Sequence, residues 1–302
     1  FERGDFLIQA GLVLEGGATR GVFTSGALDY LMEQDLYFSN VVGVSAGSCN
    51  AVDYVSKQIG RTKDCMIHQG KDYNFYYGLK GFVKERSVLD MDMIFNKFPN
   101  ELIPFDFDTF FESDIKCEIV ITNCVTGKAE YRTEESDRER LMKLCRASSS
   151  MPLVCPIVTL DGVPYLDGGL ADSVPILHMQ KQGIKKNVLI LTRPKGYRKK
   201  PVSKGLVRVY KKMYSKYPEV VRTCILRAKR YNQTMEYIDK LEEKGDIFVL
   251  RPQMKPVSRL EKDQDKLAAF YEHGYTLMRE MLPDMLEYLG EEMEDGDRKD
   301  DE

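Results

Sequence analysis

Ser45 is the side chain most plainly placed for chemistry. It stands in Gly43-Val44-Ser45-Ala46-Gly47, directly after an apolar, β-branched run that begins at Val41. Strand, sharp turn and small-residue helix start, in that order, make a nucleophile elbow, which lifts a serine hydroxyl clear of the backbone. Gly43 and Gly47 leave room where a Cβ would crowd the strand-to-helix crossing. The helix that follows aims N–H groups at the place where negative charge develops during acyl transfer. Taken alone, Gly-x-Ser-x-Gly recurs by chance, and Ser45 also reads as a helix N-cap.

Two further stretches bear on the choice. Gly16-Gly17-Ala18-Thr19-Arg20-Gly21 lies between a strand pattern and a helix pattern. Such a loop nearly matches the dinucleotide-binding fingerprint, but that fingerprint needs an acidic residue at the tip of the second strand. Here the second strand ends in the Ser45 elbow, which leaves no place for a ribose. The other use of consecutive glycines is an oxyanion hole, in which several N–H groups converge on one point. The second stretch is Asp167-Gly168-Gly169, where a carboxylate projects from a strand tip. Alone it reads as ordinary turn chemistry. The three histidines, His68, His178 and His273, occupy no glycine-flanked loop late in the chain, where a Ser-Asp-His order would put a base.

Together the three motifs resemble the patatin-like phospholipase family, and the last helix is similar to that of its bacterial branch. The likeness runs over about residues 12–191 and includes the small-residue segment Ala147-Ser148-Ser149-Ser150-Met151-Pro152. It implies a Ser–Asp dyad, with Ser45 as nucleophile and Asp167 as general base. It also implies an oxyanion hole from the N–H groups of Gly16, Gly17 and Ala18. Arg20, Gly21, Gly43, Gly47, Gly168 and Gly169 complete the motifs. The family pattern has glycine where this chain has Ala18. A methyl there is expected to hold negative φ or, failing that, to weaken activity. The activity implied is cleavage of lipid esters through an acyl-enzyme, with no metal and no cofactor. A small-ester or thioester esterase with the same dyad, and a catalytically silent lipid-binding protein of the same fold, remain open.

The elements that must position these residues follow from the hydrophobic pattern. Gly11–Leu14 and Val41–Val44 read as buried parallel strands, with a helix from about Val22 to Gln34 between them and another from the elbow to about Ile59. Cys117–Thr122 and Glu130–Arg132 read as strands, and a helix spans about Ser136–Ala147. Pro152 ends that region, and a hairpin around Asp161-Gly162 joins Leu153–Val158 to Val163–Leu166. A strand at Val188–Leu191, helices to about Glu243, a strand at Ile247–Leu250 and a last helix over about Lys262–Leu289 complete the chain. The expected fold is a three-layer α/β sandwich, a mostly parallel sheet with helices on both faces and the site at the strand C-termini. One hydrolase domain over residues 1–290 is expected. It carries an aromatic-rich insertion at about 60–114, with one helix near Leu89–Phe95. From Tyr73 to Phe111 there are eleven aromatic residues; they read as packing and as the wall of an acyl pocket.

Composition sets outer limits. The chain has 302 residues, 43% hydrophobic and 30% charged, ordinary for a globular protein. It begins with Phe1, so a native start is expected upstream. No apolar run approaches the roughly 20 residues of a membrane span. The seven cysteines form no Cys-x-x-Cys pair and read as reduced, buried thiols of a cytoplasmic protein. From Lys195 to Arg230 there are thirteen Lys and Arg against one acid, and Leu206, Tyr210, Met213 and Tyr217 share a helical stripe. That basic region, about 195–245 as a helical unit, is expected to touch anionic membrane peripherally. No nucleic-acid module is present. The acidic tail, 291–302, is expected to be disordered and to compete for the basic surface.

Overall fold

Apolar residues alternate along the central strands, and this alternation splits the core into two layers. Leu12, Leu14, Val41, Ile119 and Ile121 point to one face of a sheet; Val13, Val42, Val44 and Val120 point to the other. The computed structural model describes residues 7–67, 70, 73–77 and 87–290. His68, Phe82 and the acidic tail 291–302 lie outside the described residues.

Eight strands form one sheet: β1 (Leu7–Leu14), β2 (Tyr37–Val44), β3 (Lys116–Asn123), β4 (Ala129–Arg132), β5 (Val158–Leu160), β6 (Val163–Asp167), β7 (Asn187–Ile190) and β8 (Phe248–Leu250). Their order is β5-β6-β3-β2-β1-β7-β8, with β4 paired to β3. The five-strand block β3-β2-β1-β7-β8 is parallel, and β4, β5 and β6 are antiparallel additions. The helices are α1 (Gly21–Glu33), α2 (Ala46–Val55), α3 (Arg61–Met66), α4 (Met93–Leu102), α5 (Phe107–Glu112), α6 (Arg138–Ser148), α7 (Ile176–Lys181), α8 (Lys204–Met213), α9 (Pro218–Glu243) and α10 (Gln264–Leu289). Phe23 and Leu31 of α1, Tyr54 of α2, Leu141 of α6, and Phe270 and Met278 of α10 cover the first face. Ile176 and Met179 of α7, with Tyr231, Met235 and Ile238 of α9, cover the second. The molecule is therefore a mixed α/β protein with a mostly parallel central sheet and a helical layer on each side.

Three local differences from the sequence reading have physical causes. The helix expected near Leu89–Phe95 begins later, where the Asp90 carboxylate accepts from the Met93 N–H at 2.9 Å. That helix, α4, runs on through Pro99 with π-type spacing; the Ile103 N–H reaches the Phe98 carbonyl at 2.8 Å. Phe95 and Phe98 are buried in the main core, so packing overrides the helix-breaking proline. The first strand of the expected hairpin shortens to Val158–Leu160, because residues 151–155 close into turns, including a Met151 carbonyl that accepts from Cys155. The expected stripe is cut short, because α8 ends at Met213, before Tyr217; Met213 and Val209 are exposed, at 60% and 44%. All seven cysteines are unpaired, and burial pushes the Cys117 and Cys124 thiols up to about 12.

Candidate active site

The turn from β2 into α2 holds Ser45 at φ 56° and ψ −126°. A side chain in that region costs about 1–3 kcal/mol, so the surroundings must enforce it. They do so on both sides of the residue. The Ser45 N–H donates to Ser148 Oγ at 2.8 Å, and Ser148 Oγ donates in turn to the Val120 carbonyl at 2.6 Å. The Ser45 carbonyl accepts from the Ser48 N–H at 2.8 Å and from Ser48 Oγ at 2.7 Å. The strand and helix cross so tightly that a Cβ on Gly43 would strike the Gly47 carbonyl, and one on Gly47 the Leu14 carbonyl. In the sequence Ser148 and Ser150 stand out only as members of the small-residue segment 147–152. Both are fully buried, Ser148 at the end of α6, where it props the elbow.

Asp167 comes from an antiparallel strand that ends beside this turn. Val44 is level with Val120, and Ile121 with Asp167, so β6 stops level with Ser45, one residue beyond Val44. Ser45 Oγ donates to Asp167 Oδ2 at 2.7 Å. The other carboxylate oxygen accepts from the Gly169 N–H at 2.7 Å. The Asp167 main chain is fixed too: its N–H donates to the Ser150 carbonyl at 2.9 Å, and its carbonyl accepts from Thr122 Oγ1 at 2.8 Å. A Cβ on Gly168 would run into the Val120 carbonyl. Asp167 is 4% exposed. Burial raises its carboxyl above the ordinary carboxylate range, against a lowering pull from the Arg227 charge and the Ser45 hydroxyl.

The glycine loop faces the same hydroxyl. A Cβ on Gly16 would sit 2.8 Å from Ser45 Cβ. Among the described residues, the N–H groups of Gly16, Gly17 and Ala18 have no hydrogen-bond partner. Ala18 stands at φ 51°, so the expectation of negative φ there is overturned. The loop keeps a left-handed turn despite the methyl, at a cost of about 1–2 kcal/mol. Residues 257–261 brace it. Arg20 Nε donates to the Val257 carbonyl at 2.8 Å, Thr19 Oγ1 to the Ser258 carbonyl at 2.8 Å, and the Thr19 N–H to the Arg259 carbonyl at 3.3 Å. Gly21 opens α1, and its carbonyl accepts from Asn50 Nδ2 at 3.0 Å.

Ser45 lies where two cavities meet. One, of about 120 Å³, is walled by Val22, Val52, Phe75, Met91, Phe95, Phe98 and other apolar groups. The aromatic insertion thus supplies both core and cavity wall. The other, of about 30 Å³, is polar and includes Glu15, Asp167, Arg20, Arg193, Lys199, Arg227 and Arg259. The described histidines are elsewhere: His178 is 3.1 Å from Glu118, and His273 accepts from the Gln253 N–H at 3.0 Å. Such a site can place an ester with its carbonyl at Ser45, its acyl chain in the apolar cavity and its polar end in the other.

The model of the patatin-like phospholipase family matches residues 12–179, from the first core strand through α7. The chain belongs to the patatin-like phospholipase family. A second match, to "Domain of unknown function (DUF6363)", covers residues 217–290, which hold α9, β8 and α10. In this patatin-like chain the two matched parts share one sheet, since β8 extends it beyond β7. The uncharacterized protein YjjU of Escherichia coli is 30% identical over 190 residues, 61% of this chain and 52% of that protein. Lysophospholipase nte1 of Aspergillus terreus is 23% identical over 284 residues, 91% of this chain and 18% of that protein. The chain thus spans about half the length of the first relative and under a fifth of the second. VipD from Legionella pneumophila aligns with a TM-score of 0.45 at 13% identity, over 93% of this chain and 68% of VipD. Among the described residues, no helix is long and apolar enough to cross a membrane.

Proposed function

We propose that this patatin-like protein is a serine acyl hydrolase that cleaves lipid esters through Ser45 and Asp167. The observation that carries the reading is the 2.7 Å hydrogen bond from Ser45 Oγ to the buried Asp167 carboxylate, made at the mouth of an apolar cavity. Ser45 Oγ attacks the ester carbonyl carbon while its proton passes to Asp167 Oδ2. The new oxyanion is met by the N–H groups of Gly16, Gly17 and Ala18, each worth about 3–4 kcal/mol in such a hole. The C–O bond to the leaving alcohol breaks, and that oxygen takes the proton from Asp167. Water then attacks the acyl-Ser45 ester, gives its proton to Asp167, and the carboxylic acid leaves as Ser45 regains its hydrogen. The raised carboxyl of Asp167 is a better base for an alcohol than an exposed aspartate. Each methylene that enters the apolar cavity adds about 0.8 kcal/mol of binding. The lysophospholipase name of the Aspergillus relative supports lipid esters over small soluble ones.

Residues 7–290 act as one unit in this reading, because residues 257–261 brace the loop that carries the oxyanion donors. Peripheral contact with anionic membrane belongs to α8, whose Lys204, Arg208, Lys211 and Lys212 are exposed. The test of the hydrolase is covalent labelling. A fluorophosphonate probe labels the wild-type protein, and Ser45→Ala abolishes labelling and ester turnover. Full labelling of that variant removes the mechanism, and an unlabelled wild type leaves the silent lipid-binding reading. Turnover of liposomal against soluble esters then separates a lipase from a small-ester esterase.

A further inference from the structure

Helix α9 carries a cation where its spacing calls for an apolar residue. Val220, Cys224, Ala228 and Tyr231 recur at helical intervals along the face it buries, and Arg227 stands among them. Val220, Val221 and Cys224 share a core cluster with Leu166 of β6 and with Leu170, and Thr223 Oγ1 donates to the Gly127 carbonyl at 2.8 Å. The helix is thereby fixed against the strand that ends in Asp167. A guanidinium on such a face is costly unless it meets polar partners there. Among the described residues Arg227 is in no ion pair. What it meets is the turn after Asp167. Arg227 Nε donates to the Gly169 carbonyl at 2.7 Å. Gly169 in turn donates its N–H to Asp167 Oδ1 at 2.7 Å, while Oδ2 accepts from Ser45 Oγ. One residue thus links the guanidinium to the carboxylate. A Cβ added to Gly169 would lie 3.0 Å from Asp167 Oδ1 and 3.5 Å from Arg227 Nη2, so the two charged groups flank a single Cα.

The charges around the carboxylate are unequal. Burial raises the Asp167 carboxyl; the largest opposing influence is the Arg227 charge, followed by the Ser45 hydroxyl, the Gly169 N–H and the Arg259 charge from the segment 257–261. Lys199, in the loop after β7, is a weaker counter-charge, because burial, then the Arg227 charge, holds its ammonium well below its ordinary value. Burial pushes the neighbouring Cys155 thiol up to about 11, so it stays neutral. Glu15, Arg20 and Arg193 complete the charged lining of the polar cavity, and Glu15 is held by the Thr192 N–H at 2.8 Å and the Tyr231 hydroxyl at 3.0 Å.

We infer that Arg227 is a positioning residue for the reaction at Ser45: through Gly169 it orients the Asp167 carboxylate, and it stands as that carboxylate's principal counter-charge. This rests on the acyl-hydrolase reading and adds to it a residue outside the stretch 12–179. Arg227 lies within residues 217–290, and that part of the chain thereby acquires a role at the site.

The test uses the full chain, the soluble ester p-nitrophenyl butyrate and two variants, each taken through a pH profile. Arg227→Met removes the charge and the donor. The Gly169 carbonyl keeps a donor in Ser173 Oγ, at 2.7 Å, so no buried acceptor is orphaned and the variant folds with a Tm close to that of wild type. Arg227→Lys keeps the charge and loses the fixed Nε donor. Without a counter-charge the carboxyl holds its proton to higher pH, and a protonated carboxyl cannot take the proton of Ser45. The acid limb of kcat/KM therefore moves to higher pH in Arg227→Met, and kcat/KM on that limb falls about tenfold, the order that an adjacent opposite charge contributes. The loss falls on kcat, with KM within about twofold, as for a residue that acts through Asp167. Arg227→Lys returns the limb to its wild-type position. An acid limb that stays in place in Arg227→Met overturns the inference, since a side chain that only packs would leave it there. A loss carried by KM makes Arg227 a substrate contact and overturns the positioning role, and an equal move of the limb in Arg227→Lys overturns the counter-charge. Fluorophosphonate labelling of the same samples separates the two readings: labelled wild type confines any of these failures to Arg227, and unlabelled wild type sinks the dyad.

Discussion

The parts of the chain before and after about residue 180 contribute to the site in different ways. Residues 12–179 supply each atom proposed to react: the Ser45 hydroxyl, the Asp167 carboxylate and the three N–H donors. Residues 187–290 supply none of these. They add β7 and β8 to the sheet, clamp the glycine loop through Val257, Ser258 and Arg259, and furnish four of the five cations around the dyad. The first contribution depends on backbone shape, since a serine at φ 56° or a turn pressed against the Val120 carbonyl tolerates few sequences. The second depends only on long side chains reaching a point, and a guanidinium reaches it from a loop or from the middle of a helix. Chemistry is thus concentrated in short motifs and charge is dispersed. The predictions below test that division.

The largest effect is expected at Asp167. Asp167→Asn keeps the size and accepts from the Gly169 N–H, but it cannot take the Ser45 proton. Ester turnover falls at least about 100-fold, the loss expected for a general base. Stability moves the other way. The folded-state carboxyl is raised by burial above its unfolded value of about 3.9, so its favourable contribution is complete below that value and is lost as pH rises through the folded one. At neutral pH the buried, ionised carboxylate is a burden that the asparagine lacks. The variant therefore melts higher than wild type at pH 7, and the gap closes as pH falls toward about 4. A lower Tm at pH 7 would break the link between burial and the base.

Ser148→Ala comes next. It removes no reacting atom, yet it strips the Ser45 N–H of its acceptor and the Val120 carbonyl of a donor. Leaving a buried donor unsatisfied costs about 1–3 kcal/mol. The elbow relaxes with it, and kcat falls about tenfold with little change in KM, on the view that transition-state contacts alone are loosened. Thermal melts and steady-state kinetics on one preparation read both. A smaller change is expected in the later part of the chain, at Tyr231→Phe, which removes the 3.0 Å bond to Glu15. Hydrogen bonds to charged groups contribute about 1.5–3 kcal/mol, so stability drops by that order while turnover stays within about threefold. Equal losses of turnover in the two variants would erase the division between the regions.

The same division explains what could be read in advance. Ser45, Asp167 and the glycine loop each sit in a short run whose glycines are forced by close approach, so the run announces its own geometry. The alternating strands were legible for the same local reason. Ser148 was not, because a serine in a polar triplet looks alike whether it faces solvent or props another chain segment. Ala18 shows the converse: its side chain argued against φ 51°, and the brace from residues 257–261 holds the turn regardless. The thirteen cations of Lys195–Arg230 read as one basic surface, but the fold divides them. Lys199 and Arg227 turn inward to the dyad, while Arg198 pairs with Asp239 at 2.7 Å and Lys195 with Glu242 at 3.6 Å.

What remains of that surface for a membrane is narrower than the sequence implied, and it makes the prediction with the least effect on chemistry. Helix α8 starts at a Ser203 cap, whose hydroxyl accepts from the Leu206 N–H at 3.2 Å, and buries none of its residues. Lys204, Arg208, Lys211 and Lys212 are exposed, beside the exposed side chains of Val209 and Met213. Cations beside apolar groups suit the headgroup level of an anionic bilayer, where each Lys or Arg adds about 1 kcal/mol near the surface. Reversing all four to Glu should cut co-sedimentation with phosphatidylserine vesicles by more than about tenfold at low salt. Turnover of a soluble ester should stay within about twofold, because α8 lines neither cavity at the dyad. Wild-type binding should itself weaken as salt rises, since exposed charges are screened over about 10 Å at 0.1 M. Wild-type protein that ignores anionic vesicles at low salt would make α8 an ordinary solvated helix. Loss of soluble-ester turnover in the reversed variant would instead mean that charge far from Ser45 reaches the dyad, and the separation of local chemistry from dispersed charge would fail there.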